Sequence, residues 1–496
     1  MICAVSVIYV AFMLPLGFAP DEAEHAYRAY QLSLGTLFPA VVSCLTHPDL
    51  LPCKFHFPGH LVPHRRVGGQ VSAGLYQVFQ TVTALAPPAV AVPAGTLPAV
   101  NFDPAVYNAA AGAALAGPTL FAHFENTALY SPVNYLPQTL VFWLARTLSQ
   151  PAIATLFAAR LVMGLVWGSL VTAAVALTPR WKWQFALAVL VPTELAQGAT
   201  LSADAMALAL SAVTIAYALA LADRDGPLST WALARLSGLC LLLGLLKVPV
   251  PFVVPGVLVV VWPVLGSHLR ERAGRLAVLA LPAIAAAAWW NLSLGADFVP
   301  YRNTVFPQNE QVYISQSGQL HHLLTHISDI PSILWETAIK GDLFNLNGLV
   351  GTIGQDGRSG PLPEWFALIW LAVFAALTIA SGEGPGLTRR LRGLLAGSFV
   401  VYMLVTALGL YLTATALGAD HVNGIHGRYY TPMLALAVPL LAGLGGARVR
   451  IGERAIAWTV MAVSLAAMLT LFVHTSEAFY QQEPWQSLPR VVSALF

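Results

Sequence analysis

Residues 153–177 read IATLFAARLVMGLVWGSLVTAAVAL, a run of 25 residues in which Arg160 is the only charged side chain. About 20 apolar residues cross the hydrocarbon core of a bilayer as a helix, so this stretch predicts a membrane span. Similar runs recur along the whole chain. By apolar length we expect about eleven spans, at residues 1–18, 153–177, 183–201, 204–222, 230–246, 249–265, 276–293, 362–380, 394–417, 429–446 and 455–473.

The composition supports this interpretation. The 496 residues are 57% hydrophobic and only 10% charged, with a mean hydropathy of +0.68, whereas soluble domains carry about 25% charged residues. These values exclude a cytosolic enzyme, a disordered chain and a nucleic-acid-binding protein. The predicted fold class is an all-α polytopic membrane protein that forms a single integral membrane domain over residues 1–496. The formal net charge of +2 indicates no partner beyond the lipid bilayer.

Two apolar segments between the first and second spans are not counted as spans. Residues 71–100 are interrupted by four prolines, and residues 134–149 contain Pro137 and Arg146, which favours an amphipathic helix on the membrane surface. With the N-terminus in the cytoplasm, this count places 12 of the 25 basic residues in short inside loops, as the positive-inside rule requires. The C-terminus is then outside, and the inside loops are 178–182, 223–229, 266–275, 381–393 and 447–454.

The predicted outside segments carry most of the ionisable side chains. A large first loop at 19–152 and a second at 294–361, with shorter segments at 418–428 and 474–496, contain 12 of the 13 histidines. We therefore expect a site at the extracytoplasmic membrane surface, built from several loops; plain solvation of these side chains is the alternative.

Two of the four cysteines, Cys44 and Cys53, lie in the first outside loop. Each is followed three residues later by a histidine, His47 or His56, a spacing that leaves a zinc site open. A disulfide between the two cysteines is favoured because extracytoplasmic compartments are oxidising.

The first outside motif is PDEAEHAYRAYQLSLG at residues 20–35. On a helix, Asp21, His25 and Arg28 share one face. A carboxylate beside apolar surface holds its proton more tightly and can act as a general base near neutral pH. The alternative is a helix N-terminus at which acidic residues are favoured by the helix dipole.

Five further motifs fall on the same predicted face. Arginine is the preferred side chain for binding phosphate, and lysine supplies a second cation, so Lys247 and Arg428 are candidate phosphate ligands. Snorkelling to the interface is the alternative for both, and helix capping is the alternative for Asp204. The motifs are LYSPVNYLPQTLVFWLAR (129–146), Arg160 in its span, TLSADAMALALS (200–211), LLKVPVP (245–251) and HVNGIHGRYYTPM (421–433).

These motifs, in this order, resemble the bacterial membrane family known as domain of unknown function 2142. The opening motif and GRYYTP at residues 427–432 are the most specific, and YSPVNYLPQ, LSADA and LLKVP are similar to its later blocks. That family is in turn similar to class C glycosyltransferases, multi-span enzymes with surface helices in the first outside loop. The resemblance implies a bacterial inner-membrane enzyme that takes a sugar from a polyprenyl-phosphate donor and passes it, on the periplasmic face, to an envelope glycan or lipid-linked acceptor.

The resemblance also implies roles for individual residues. Asp21 is expected to be the general base, with Glu22 and His25 orienting it or the acceptor. Asp204 is expected either to order a cationic group or, with Asp21, to hold a divalent metal, and no other cofactor is expected. The predicted substrate-binding residues are Arg28, Arg160, Asp204, Lys247, Arg428 and Tyr429.

Two other functions stay open on the sequence. A lipid-linked-sugar flippase or permease has the same apolar composition, but it predicts polar side chains along mid-span paths and often internal repeats. A glycan ligase or polymerase has the same outside site and uses a diphosphate-linked donor.

Overall fold

The protein is helical along most of the chain. The computed structural model describes residues 1–44, 46–47, 49, 65–83, 104–294, 314–340, 343, 346–351, 362, 364–381, 386–444 and 451–480. The described helices are, in chain order, α1 (Ile2–Met13), α2 (Glu22–Ser33), α3 (Ala73–Thr83), α4 (Pro104–Ala111), α5 (Glu125–Ala128), α6 (Leu136–Thr147), α7 (Ala152–Leu177), α8 (Lys182–Val189), α9 (Pro192–Gln197), α10 (Ala203–Ala222), α11 (Thr230–Gly244), α12 (Val253–Val261), α13 (Leu269–Leu294), α14 (Gln316–Thr325), α15 (Ile330–Ile339), α16 (Leu346–Val350), α17 (Glu364–Ile379), α18 (Arg389–Thr413), α19 (Thr431–Leu434), α20 (Ala437–Leu441) and α21 (Glu453–Tyr480).

Within the described ranges, five helices are long and apolar enough to cross a membrane, namely α7, α10, α13, α18 and α21. They coincide with five of the predicted spans. Shorter apolar helices lie at Ile2–Met13, Thr230–Gly244, Val250–Val264 and Trp365–Ile379. The prediction of a helical membrane protein is therefore confirmed, whereas the count of eleven spans stays a prediction.

Two predicted spans are broken into short helices. The predicted span 183–201 contains α8 and α9, and the described part of the predicted span 429–446 contains the end of a 3₁₀ turn (Gly427–Tyr430) followed by α19 and α20. Pro192 begins α9 and Pro432 is in the first turn of α19. Because proline lacks an amide donor and clashes with the preceding turn, it starts a helix readily but does not continue one.

The alanine-rich helix α10 lies at the centre of the bundle, where most of its residues are buried. It packs against α7, α11 and α12. Small side chains let helix backbones approach closely. The same principle fixes Gly244 at the crossing of α11 and α13, because a Cβ atom there would clash with the backbone of Ala283.

The segment predicted as the first outside loop adds a small sheet to the mostly helical chain, which the all-α prediction did not include. It contains a three-stranded antiparallel sheet in the order β1 (Ala40–Ser43), β2 (Arg65–Ser72) and β3 (Thr119–His123). A Cβ atom on Gly68 would clash with the backbone of Ala122 in the neighbouring strand, so the glycine permits the close pairing of β2 and β3. The strands are short and far apart in sequence, which hides their pairing from a search for apolar periodicity.

Helices flank this sheet. The segment predicted as an amphipathic surface helix forms α6, which exposes Leu136, Leu140 and Trp143 along one stripe. Of the excluded segment 71–100, residues 73–83 form α3 and residues 84–100 lie outside the described part of the chain. Cys44 is disulfide-bonded, whereas Cys3 and Cys240 are free. Cys53 lies outside the described residues, so its pairing with Cys44 stays a prediction.

Candidate functional site

A cluster of charged side chains forms where α10 begins. The hydroxyl of Ser202 accepts a hydrogen bond from the backbone amide of Asp204 (3.1 Å) and caps the helix. The Asp204 carboxylate is therefore not needed as a cap. Its Oδ1 accepts a hydrogen bond from the Lys247 ammonium, and its Oδ2 lies 3.5 Å from Nε of Arg428. Asp204 is thus in contact with two cationic side chains, and its two predicted roles stay predictions.

Aromatic rings complete the surroundings of the two cations. Nζ of Lys247 lies 5.0 Å from the ring centre of Tyr429 and 6.0 Å from that of Tyr130, and the Arg428 guanidinium is 5.3 Å from the Tyr429 ring. Burial and the charge of Arg428 lower the pKa of Lys247 to about 7, and the ring contacts act against this shift because they stabilise a cation. Two buried cations thus share direct contact with one carboxylate, an arrangement suited to an anionic ligand. We call Asp204, Lys247, Arg428, Tyr429 and Tyr130 the cationic cluster.

His25 joins this cluster to the first outside loop. Its ring stacks on Tyr130 with the centres 6.1 Å apart, and its Nδ1 shares a hydrogen bond of 2.7 Å with the hydroxyl of Tyr135. Burial, together with the positive charges of Lys247 and Arg428, lowers the pKa of His25 to about 3. The imidazole is therefore neutral at physiological pH.

We expect acidification to destabilise the protein through His25. The unfolded chain takes up this proton below the ordinary pKa of 6.5, whereas the folded protein keeps the ring neutral down to about 3. The unfolded state binds more protons in that window, so the free energy of unfolding falls as the pH drops through it. His25→Gln should reduce this slope by up to one proton, or about 1.4 kcal/mol per pH unit.

Thermal unfolding of the purified protein at several pH values between about 7 and 5 measures how steeply the free energy of unfolding changes with pH. His321→Gln is the matched control, because His321 is exposed on α14 and should leave the pH dependence unchanged. An unaltered slope in His25→Gln would contradict a buried, neutral imidazole.

Asp21 differs from the other acidic residues near the cluster. It precedes α2 in the left-handed conformation (φ 53°), which is uncommon for a residue other than glycine but is tolerated by aspartate and asparagine. Its carboxylate makes no hydrogen bond or ion pair with any residue that the structure describes. It lies within electrostatic range of Lys247, Tyr130 and Tyr135. The half-buried Asp21 carboxylate is thus positioned by the backbone and available to a ligand.

Glu22 and Arg160 form a separate, fully buried pair. Nε of Arg160 donates to Oε1 of Glu22 (2.6 Å) and Nη2 donates to Oε2 (2.5 Å). The remaining guanidinium donors bond to the carbonyls of Ala11, Leu14 and Pro15. All five N–H groups are therefore used within the chain. Arg160 thus has no donor left for phosphate, which corrects its predicted role in binding substrate. Both Glu22 oxygens are bound to Arg160, and the predicted role of Glu22 in orienting the base or the acceptor stays a prediction.

Arg28 is also used internally. It is fully buried, and its Nη1 donates to Oε1 of Gln31 (2.5 Å) while Nη2 donates to the carbonyl of Leu37 (2.9 Å) and, more weakly, of Tyr130 (3.5 Å). The prediction that Arg28 binds substrate is corrected accordingly: Arg28 ties α2 to the segment that carries Tyr130.

The segment after Leu129, part of which is predicted from the sequence to lie on the membrane surface, also packs beside the cationic cluster. Trp290 Nε1 donates to the carbonyl of Leu129 (2.7 Å). The hydroxyl of Ser131 and the amide of Asn134 donate to the carbonyl of Leu245. These bonds hold Tyr130 against the turn that carries Lys247. The small polar residues of YSPVNY, Ser131 and Asn134, are the sequence signal that could have indicated these hydrogen bonds.

Glu194 is a further member of the site region. It is buried in α9, and its Oε1 accepts a hydrogen bond from the hydroxyl of Thr431. It also lies within electrostatic range of Lys247 and Arg428. A glutamate inside an apolar run is by itself a functional signal, and this one lies where two broken spans meet.

The possible metal role of Asp21 and Asp204 stays a prediction. Among the described residues, no group of three or more His, Cys, Asp and Glu side chains could hold a metal ion. The Asp204 carboxylate is instead engaged by Lys247 and Arg428.

The apolar helices and the charged cluster at one end of them define a helical membrane protein with a polar site near the ends of its helices. Residues 4–437 match the family described as "Predicted membrane protein (DUF2142)", and the chain belongs to this family. No curated protein and no solved structure matches the chain. The family description states no activity.

Proposed function

We propose that the protein is a glycosyltransferase of the bacterial inner membrane that uses a polyprenyl-phosphate-linked sugar as donor. The observation that carries the proposal is the proximity of the Asp21 carboxylate to Lys247, which shares the Asp204 carboxylate with Arg428, in a chain with helices long and apolar enough to cross a membrane. The cations suit the phosphate of a lipid-linked donor. The carboxylate suits the deprotonation of an acceptor hydroxyl.

The proposed reaction is an in-line displacement at the anomeric carbon. Asp21 accepts the proton of the acceptor hydroxyl, and that oxygen forms a bond to the anomeric carbon. The bond between this carbon and the phosphate oxygen breaks, and its electron pair leaves with the polyprenyl phosphate. Lys247 and Arg428 balance the negative charge that develops on the leaving phosphate.

Neighbouring residues position these groups. Asp204 holds Lys247 and Arg428 side by side, while His25, bonded to Tyr135, packs against Tyr130. Because the buried imidazole is neutral, His25 acts here through packing and its hydrogen bond and not as a further cation. The acceptor is an envelope glycan or a lipid-linked glycan, and the reaction takes place on the extracytoplasmic face that the positive-inside pattern indicates.

The function is tested by comparing envelope glycans from a deletion strain with those from the same strain carrying the intact gene. Mass spectrometry is expected to show a glycan that lacks one sugar in the deletion strain and regains it on complementation. Identical glycans in both strains, together with an unchanged pool of polyprenyl-phosphate sugar, would contradict the proposal.

Lys247 should be needed for use of the donor. Lys247→Met keeps most of the apolar stem and removes the charge, so transfer should fall by about 10²–10³-fold, the typical effect of deleting one electrostatic stabiliser of a transition state. Lys247→Arg restores the charge with a different shape and should recover part of the activity. The rate of sugar transfer in isolated membranes measures both. Lys340→Met, at an exposed ion pair with Asp420, is the control and should keep wild-type activity.

A flippase or permease is a second candidate because of one specific feature. The two broken spans meet at the hydrogen bond between Glu194 and Thr431, and Oε2 of Glu194 has no hydrogen-bond partner among the described residues. Discontinuous helices with polar groups in the membrane are typical of transporters. Movement of the intact lipid-linked sugar across vesicles, with no covalent product and with loss of movement in Glu194→Gln, would favour this candidate.

A further inference from the structure

An open groove lies on the half of the bundle away from the cationic cluster. Its volume is about 450 Å³. α11 runs from Thr230 toward Lys247. The end of the groove that contains Arg235 therefore lies far from the cationic cluster. The lining residues come from the end of α7, the second half of α10 and the middle of α11, and they are Leu177, Val213, Tyr217, Arg235, Gly238, Leu239 and Leu242.

Arg235 is the one charged residue in this lining. It is exposed on α11, five residues after Thr230, which places its backbone about 7–8 Å along the helix from its first residue. It makes no hydrogen bond or ion pair with any residue in the described part of the chain. A charged side chain among apolar groups at membrane depth requires a counter-charge or water.

Acidic side chains at the same end of the bundle are engaged elsewhere. Asp223 pairs with Arg180 at 2.6 Å, and Glu271 pairs with Arg275 at 2.9 Å. Asp225 is exposed in the segment before α11 and forms no ion pair with Arg235 in the described part of the chain. An anionic ligand can therefore supply the counter-charge for Arg235, and the apolar lining beside it suits a hydrocarbon chain.

We propose that this groove binds one anionic phospholipid from the leaflet opposite the cationic cluster. The phosphate accepts hydrogen bonds from the Arg235 guanidinium at the edge of the groove. One acyl chain follows Val213, Leu239 and Leu242. From Arg235 to Leu242 the helix advances about 10 Å toward the membrane interior, the direction in which a lipid tail runs from its headgroup. The site is independent of the proposed transferase activity.

Two variants test the two halves of the site. Arg235→Gln removes the charge. Gly238→Leu fills the groove, because a Cβ atom on Gly238 has no neighbour within 4 Å and leucine favours the helix. The matched controls are Arg270→Gln and Gly274→Leu on α13, at the same end of the bundle, where Gly274 is equally open.

The measurement is native mass spectrometry of the purified protein titrated with phosphatidylglycerol and, separately, with phosphatidylcholine. Wild type and both controls should retain one phosphatidylglycerol in preference to phosphatidylcholine. Arg235→Gln should weaken phosphatidylglycerol binding about tenfold, the effect of losing one charged hydrogen bond, and Gly238→Leu should weaken binding of both lipids. Retention by Arg235→Gln equal to that of wild type would overturn the proposal. An equal loss in Arg270→Gln would also overturn it, since that result means general surface attraction.

Discussion

Replacing Asp21 with asparagine is expected to stop sugar transfer while the protein still folds. Asparagine has nearly the same shape and tolerates the left-handed backbone conformation that Asp21 adopts. The carboxylate forms no hydrogen bond or ion pair with a described residue, so the substitution breaks no such bond. A missing general base reduces catalysis by about 10²–10⁴-fold. The rate of sugar transfer in membranes carrying equal amounts of variant and wild type measures this effect.

Two variants make the result specific to Asp21. Asp225→Asn has the same chemical change at an exposed position at the far end of α10 and should retain full activity. Asp21→Glu keeps the carboxylate but moves it by one methylene, so it should recover a small part of the activity. Transfer by Asp21→Asn at the wild-type rate would show that another group accepts the proton.

Breaking the pair between Glu22 and Arg160 is expected to cause the largest loss of stability. Both side chains are 0% exposed. Arg160→Gln leaves the Glu22 carboxylate buried without its partner and leaves backbone carbonyls of the α1 end without donors. Removing one partner of a buried ion pair costs about 3–5 kcal/mol. Thermal unfolding of the protein in detergent should show a markedly lower midpoint and a smaller folded fraction.

The double variant Glu22→Gln/Arg160→Gln separates the buried charge from the lost hydrogen bonds. It removes both charges, so it should be more stable than Arg160→Gln alone, and the two single losses should not add. Arg180→Gln is the control, because its pair with Asp223 is about one-third exposed and such pairs contribute about 0–1 kcal/mol. Additive losses in the double variant would contradict direct coupling of the two side chains.

The sequence predicts the membrane class and the meeting of distant motifs for physical reasons. Long apolar runs are sufficient to indicate spans. Alternation of those spans brought Asp204, Lys247 and Arg428 to one face, and the structure places the three in contact. Scarcity of charge made these residues conspicuous, because charged side chains are expensive near the bilayer.

Other features could not be predicted because they depend on three-dimensional contacts. Arg160 is predicted from the sequence to bind substrate, but its five N–H donors bond to Glu22 and to carbonyls near the end of α1. The pairing of β2 with β3 joins segments about fifty residues apart, which no local pattern shows. The breaks at Pro192 and Pro432 divide runs whose apolar length alone predicts whole spans.

The central claim, sugar transfer at the cationic cluster, is tested most directly with purified protein in liposomes. These contain polyprenyl-phosphate sugar labelled in the sugar, together with envelope glycans from the deletion strain as acceptor. We predict labelled glycan and free polyprenyl phosphate in equal amounts with wild type, and neither with Asp21→Asn. Folded wild-type protein that leaves the donor intact, or moves it across the bilayer unchanged, would contradict the account.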